Sequence, residues 1–363
     1  MRQAHSTIII TEVITPLATP LYIRFRRSVL WLIAIAALLA ILANLFSVEF
    51  AKLLIQRGFW QESKVWKGLL LDTQESTPEV VLVGSSRVQN HFNTEYFRQN
   101  GHRVFNLGAP GILPWDFPFM VGQAAKAAEK TVVISIPAEI LLGAVGCPLR
   151  WTLTDMAFYA KQAPTCLRGL SLIEWLEPLP INAFFSETFP DVHYDPCNEN
   201  NRRSPLSELQ AARGLGLCED ARGLMLLRYS RRWVAVFRNG DGLIIPDNYP
   251  PRQAQVTWRD QQEADLQPTV LRFLNGLADR VRAENKTPIF VVEAAPLEHL
   301  RIPHGIIERE TGARTLYMNE LGFADDEIAD HDHVGIKGNA RLSKLLFEQL
   351  FCTTSTSSEK GCP

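Results

Sequence analysis

The chain has no basic stripe, no Cys-x-x-Cys pair, no internal repeat and no cysteine before residue 147. Each absence excludes something. Net charge is -2, and basic pairs such as Arg202-Arg203 and Arg231-Arg232 are too short to make the footprint of a nucleic-acid binder, so no nucleic-acid partner is expected. Without Cys-x-x-Cys spacing, a zinc or thioredoxin-like role does not fit. Without self-similar units there is no solenoid. What remains is a chain of 363 residues, 46% hydrophobic and 21% charged. That is ample material for a core, and a length that suits two ordinary domains or one α/β domain with insertions.

Charge is also missing from one long run. Residues 28–46, from Ser28 through Trp31 and Leu39 to Phe46, carry no charged side chain, and a helix of about this length crosses a hydrocarbon core. The run exceeds the apolar region of an ordinary signal peptide and no small-x-small cleavage site closes it, so it reads as a retained transmembrane anchor; a long cleaved signal or a buried helix are the other readings. Arg2, Arg24, Arg26 and Arg27 precede it, against Lys52 and Arg57 soon after, which places the N-terminus in the cytoplasm and the main domain across the membrane. All six cysteines, Cys147, Cys166, Cys197, Cys218, Cys352 and Cys362, follow the run. An even number on the exported side fits disulfides formed in an oxidising compartment. Pairing among the central four and of Cys352 with Cys362 is the expectation, although spacing alone leaves connectivity open.

Residues 1–27 then form a cytoplasmic lead, 28–46 the anchor and 47–77 an amphipathic helical stalk. From residue 78 the pattern is α/β. Short apolar strands (Glu79 to Val83, Arg103 to Leu107, Thr131 to Ile136, Pro288 to Glu293) alternate with helices (Arg87 to Asn100, Trp115 to Lys130, Asp265 to Glu284, Leu342 to Phe351). This argues for a parallel sheet covered on both faces. From about residue 146 to 258 the alternation stops in a Pro-, Arg- and Asn-rich segment holding four cysteines, which reads as an insertion or cap. Its aromatic residues Trp151, Trp175, Tyr194 and Trp233 suit local packing or a carbohydrate groove. Residues 352–363 form a Ser/Thr-rich flexible tail.

Two short motifs carry the chemistry. The apolar run Val80-Val81-Leu82-Val83 opens into Gly84-Ser85-Ser86-Arg87. A strand that turns into a helix at a glycine exposes a serine and presents backbone N–H groups to a developing oxyanion. The same residues also suit simple helix capping. Near the end stands Asp330-His331-Asp332-His333. An Asp three residues before a His can lock one ring nitrogen and leave the other to take a proton. An exposed acidic loop fits the motif too, and so does a metal site of Asp330, His331, Asp332 and His333, although no further ligand cluster accompanies it. No metal and no cofactor is expected.

Together these motifs resemble the SGNH (GDSL-like) hydrolase superfamily, over roughly residues 78–146 and 259–350. The resemblance implies a three-layer, flavodoxin-like parallel sheet with Ser86 as nucleophile, His333 as base and Asp330 as its orienter. Ser85 stands where the family usually has Asp. Asn106-Leu107-Gly108-Ala109-Pro110-Gly111 resembles the second block, where Gly108 would join the Ser86 N–H in an oxyanion hole, and Gly338 matches the usual continuation into the last helix. The third block departs: Ile136-Pro137-Ala138-Glu139 has no Asn to donate to the oxyanion. Ser-Ser-Arg, the anchor and the missing third block look like the membrane-tethered exported branch that includes alginate O-acetylation and D-alanine transfer proteins. That branch implies acyl transfer from a membrane-bound O-acyltransferase to an extracytoplasmic carbohydrate polymer. A degenerate domain that only binds such a polymer or partner is the rival. Arg87, Asn106 and Glu293 are candidates for substrate binding, Glu293 because it ends a strand at the edge where parallel sheets gather their sites.

Overall fold

The computed structural model describes residues 28–39, 63–72, 74–112, 114–142, 192–193, 225–229, 232–237, 239–246, 257–260 and 266–352. Two units divide the chain, Met1–Ser47 and Val48–Pro363. In the first, residues 28–39 are helical and expose Leu30, Trp31 and Leu32 at 57%, 70% and 67%. Among the described residues no helix is long and apolar enough to cross a membrane; the rest of the expected span, residues 40–46, lies outside them.

The second unit is α/β. Its main sheet holds β1 (Val80–Val83), β2 (Val104–Asn106), β3 (Thr131–Ile136), β9 (Thr287–Val292) and β11 (Arg314–Tyr317), in the order β11-β9-β3-β1-β2 with every pairing parallel. Counted along the sheet's own strands this is the 2-1-3-4-5 order of flavodoxin-like doubly wound proteins. The strands are apolar throughout because both faces are covered. Val81, Val83, Ile134, Phe290 and Val292 pack beneath α4 (Phe117–Ala127) and α6 (Pro268–Ala283). Val80, Leu82, Val133, Val291 and Leu316 face α2 (Ser86–His91), α3 (Thr94–Gln99) and α8 (Ile336–Phe347). On α6 the buried stripe Val270, Leu274, Leu277, Ala278 and Val281 follows helical spacing and explains why that helix was readable.

Two expectations need correction. The helix expected over Arg87 to Asn100 breaks at Asn93, whose side chain accepts from Glu95 N at 3.0 Å while Ser343 Oγ accepts its backbone N–H at 2.8 Å. An Asn offering its own cap makes two helices of one. The stalk is not wholly a spacer: α1 (Ser63–Asp72) places Leu71 in the core and buries Lys67 completely, with its Nζ donating to Gly108 O. The insertion adds a second sheet to this unit. Its described part is a four-stranded antiparallel sheet of β4 (Val192–His193), β5 (Met225–Tyr229), β6 (Arg232–Val236) and β7 (Gly242–Pro246).

The β6–β7 turn docks on the main sheet. Asn106 N donates to Asn239 O at 3.1 Å. Gly240 has φ 85°, and a Cβ there would run into the Asn106 carbonyl, so both backbone conformation and space call for glycine. Beyond the turn, β8 (Thr257–Asp260) pairs in parallel with β10 (Glu298–Arg301), outside the main sheet. A short helix, α5 (Ala138–Leu142), follows β3, and α7 (Ile306–Thr311) precedes β11. Cys352 is disulfide-bonded. The other five cysteines, Trp151, Trp175, Tyr194 and the tail from residue 353 lie outside the described residues.

Candidate active site

Because β1, β2, β3 and β9 run parallel, the residues after each of them meet at one edge, and β1 and β3 flank the point where the strand order reverses. Gly84 to Ser86 follow β1, Gly108 follows β2, Glu139 follows β3 and Glu293 follows β9. The loop before α8 brings Asp330 to His333 to the same place.

Ser86 Oγ lies 2.8 Å from His333 Nε2, and His333 Nδ1 lies 2.8 Å from Asp330 Oδ1. An ionised carboxylate only accepts, so Nδ1 carries the proton and donates it to Asp330, leaving Nε2 to accept the Ser86 hydroxyl. Asp330 Oδ1 also accepts from His333 N at 3.0 Å and Asp332 N at 2.8 Å, while His333 O accepts from Ala329 N and Asp330 N. The Asp-x-x-His loop is therefore wound around its own carboxylate, which fixes the imidazole. Ser86 and Asp330 are half-buried, and the His333 side chain is 11% exposed. The three side chains expected as nucleophile, base and orienter are within hydrogen-bond reach of one another, the geometry that acyl transfer needs.

Capping and nucleophile geometry fall to different serines. Ser85, extended at φ -76°, ψ -169°, caps α2 by accepting from Arg87 N; Ser86, the first helical residue, meets His333. Gly84 is needed for room rather than for a left-handed turn: a Cβ there would meet the Val88 side chain, with Glu293 Oε1 and Ser135 Cβ each 3.0 Å away.

The remaining candidates are brought to the site but not to its surface. Asn106 is fully buried and donates from Nδ2 to Val88 O at 3.0 Å, Phe92 O at 3.3 Å and Asp241 Oδ1 at 3.3 Å. It closes the end of α2 rather than facing a substrate. Its Oδ1 accepts from Gly108 N at 2.9 Å, so the amide expected in the oxyanion hole already has a partner. Gly108 instead backs against Val88 and Gln89, and its missing side chain lets the loop and α2 touch. Arg87 is 8% exposed and grips Glu139 with two bonds of 3.1 and 2.8 Å, and Asp332 with one of 3.1 Å. Burial alone would lower its pKa, but Glu139, Glu293 and Asp332 outweigh burial and hold it raised. An arginine paired on both sides is a clamp, not an open anion site. It ties the Asp-x-x-His loop to the residue that stands in the third-block segment. Glu293 is buried and accepts from Ser85.

Sequence reasoning missed His91 and Glu139. His91 is buried on α2, accepts from Val334 N through Nε2 at 3.2 Å, and stands edge-on to His333 with ring centroids 6.1 Å apart. Burial first, then His333 and Arg87, hold its pKa well below the ordinary imidazole range, so it is neutral behind His333. No spacing flagged it, because a polar Gln89-Asn90-His91 run on a helix reads as a solvated face. All three are buried against β7 and the α8 loop. Glu139 was read only as the place where an Asn is missing. Among the described residues no group of three or more His, Cys, Asp or Glu side chains is arranged to hold a metal.

Compared with protein-family models, curated proteins and solved structures, the chain finds no significant match.

Proposed function

We propose that this chain is a membrane-anchored, exported serine-dependent O-acyltransferase or esterase of SGNH (GDSL-like) type, working through an acyl-Ser86 intermediate. The observation that carries the reading is the continuous Ser86–His333–Asp330 hydrogen-bonded line at 2.8 Å per link. Ser86 Oγ attacks the acyl carbonyl and its proton passes to His333 Nε2. Asp330 holds the Nδ1 proton and the imidazolium that forms, while the Ser86 N–H faces the developing oxyanion. As the tetrahedral intermediate collapses, the leaving group takes the proton from Nε2 and the acyl group stays on Ser86. A sugar hydroxyl then attacks the acyl-serine, gives its proton to Nε2, and departs as the ester when Ser86 regains that proton.

Transfer to a cell-surface polymer is preferred to hydrolysis for the tethering reason. The uncharged run 28–46 with its exposed helical part, the cysteines placed after it and the Cys352 disulfide support an N-terminus in the cytoplasm and a periplasmic or extracellular domain. A membrane-bound O-acyltransferase is the partner this arrangement suits. One observation favours the rival, a degenerate SGNH domain that binds a polysaccharide or that partner without turnover: the Gly108 N–H is committed to Asn106 and no third-block Asn replaces it. Removing one oxyanion donor costs roughly 10²–10³ in rate.

The test is to expose the full chain, in detergent, to an activated acetyl ester and weigh it intact beside Ser86→Ala. An adduct on Ser86, absent from the variant, supports the enzyme, and offering sugar polymers as acceptors separates transfer from hydrolysis. No adduct from several acyl donors moves the binding domain ahead.

A further inference from the structure

Glu293 lies beneath the turn that carries Ser86, 2% exposed, where a substrate does not reach it. It takes both protons that Ser85 can give: Ser85 Oγ donates to Oε2 at 2.7 Å and Ser85 N to Oε1 at 3.3 Å. Arg87 N already donates to Ser85 Oγ at 3.1 Å, so the single hydroxyl proton is directed to Glu293. Ser85 thus links the carboxylate to the first turn of α2, and the next residue is Ser86. We propose that Glu293 is a positioning residue for acyl transfer: as a carboxylate it clamps Ser85, and through Ser85 it aims Ser86 Oγ at His333. The inference rests on the reading of Ser86 as nucleophile.

The surroundings show that this carboxylate is not a convenience of packing. Arg87 on α2 favours its charge and Glu139 on α5 opposes it, while the Ser135 hydroxyl on β3 is buried without a partner among the described residues. Burial is the largest influence and pushes the carboxyl up to about 7, against the pull of Arg87 and of the two Ser85 hydrogen bonds. A buried acid that ionises near neutrality costs stability, and such residues concentrate at functional sites. Protonation removes an acceptor from the clamp, so Ser86 reactivity should need two deprotonations, at His333 and at Glu293.

The measurement is the rate of Ser86 labelling by a fluorophosphonate across roughly pH 5–9, on the full chain, alongside thermal melts. The wild type should show an acid limb whose slope in log rate approaches two. Glu293→Gln should label at least about tenfold more slowly on the plateau, keep a slope of one, and melt at a higher temperature than wild type above neutrality. The last result excludes misfolding as the cause of slow labelling. Ser85→Ala attacks the clamp from its other end. With one donor lost, the carboxylate is less favoured, and its acid limb should move to higher pH. If Glu293→Gln labels at the wild-type rate with the same two-group limb, the proposal is overturned while the nucleophile stands. If wild-type Ser86 is not labelled at any pH, the acyl-transfer reading fails and this inference with it.

Discussion

His333 has a named partner on each ring nitrogen, and that arrangement makes its neighbours testable one at a time. Asp330→Asn keeps the shape but replaces the acceptor at Nδ1 with an amide that can donate, so the Nε2-protonated tautomer gains ground and the base is blocked. Activity should fall roughly 10³–10⁴-fold with the fold intact, by analogy with triads in general. His91→Ala should act differently. It leaves Val334 N without its acceptor, costing about 1–3 kcal/mol in a denaturant melt, and lets the His333 loop move. Two buried titratable groups at this site, Glu293 and His91, also pull stability in opposite directions with pH. Glu293 has a folded pKa of about 7 above the unfolded carboxyl value, so it favours the fold when protonated and opposes it as pH rises through about 7. Glu293→Gln should therefore gain up to about 3 kcal/mol over wild type at alkaline pH and lose that gain below about pH 4.5. His91 is depressed, so its contribution is present above the unfolded imidazole value of about 6.5 and fades as pH falls below it.

At the scale of the element, α2 is six residues long, too short to persist by its own hydrogen bonds. It is held at both ends. Ser85 caps the start, Asn106 closes the finish, Asn90 Nδ2 reaches back to Ser86 O at 2.7 Å, and Asn339 Nδ2 on α8 donates to Asn90 O at 2.8 Å. Asp241 from the insertion ties in as well, accepting from Thr94 N and Thr94 Oγ1 at 2.8 Å each. Gly240→Ala forces a side chain against Asn106 O at a φ that disfavours it. It should lower the melting temperature and slow Ser86 labelling together, since the turn braces α2; equal labelling after correction for folding would show the insertion to be an independent module. Four of the main sheet's strands were legible as short continuous apolar runs, and the longer helices because their apolar residues repeat near 3.6. The docking of the β6–β7 turn was not, because Asn239-Gly240-Asp241 reads as any surface turn until β2 is placed beside it.

For the whole molecule, the doubly wound parallel sheet explains why residues distant in sequence share one edge. It also explains why a glycine-serine turn after the first strand reaches the late loop. Lys67 carries this further: α1, close after the apolar run, puts the buried Lys67 Nζ on the carbonyl of Gly108, where burial holds its pKa well below the ordinary lysine value. Disturbing α1 should therefore be felt at the site. The anchor reading has its own check. Full-length chain should float with lipid vesicles, and replacing Leu32, Ile33 and Ile35 together by Asp should release it, since each central charge opposes insertion by about 2.5–3.5 kcal/mol. Flotation unaffected by the three charges would refute it.

The sequence by itself determined four of the five strands of the main sheet, though not β11, together with the α/β class, the break made by the insertion, and the two motifs, a Gly-Ser-Ser turn and an Asp-x-x-His loop. These are properties of local period and of spacing within one turn. Only the tertiary structure decided which serine caps and which meets the histidine, that Gly108 gives its N–H to Asn106, and that Arg87 and Glu293 face inward to Glu139 and Ser85 rather than outward to a substrate. Burial and these partners depend on how distant segments are brought together, with Ser86 and His333 247 residues apart and Ser85 and Glu293 208 apart, and no local pattern carries that information.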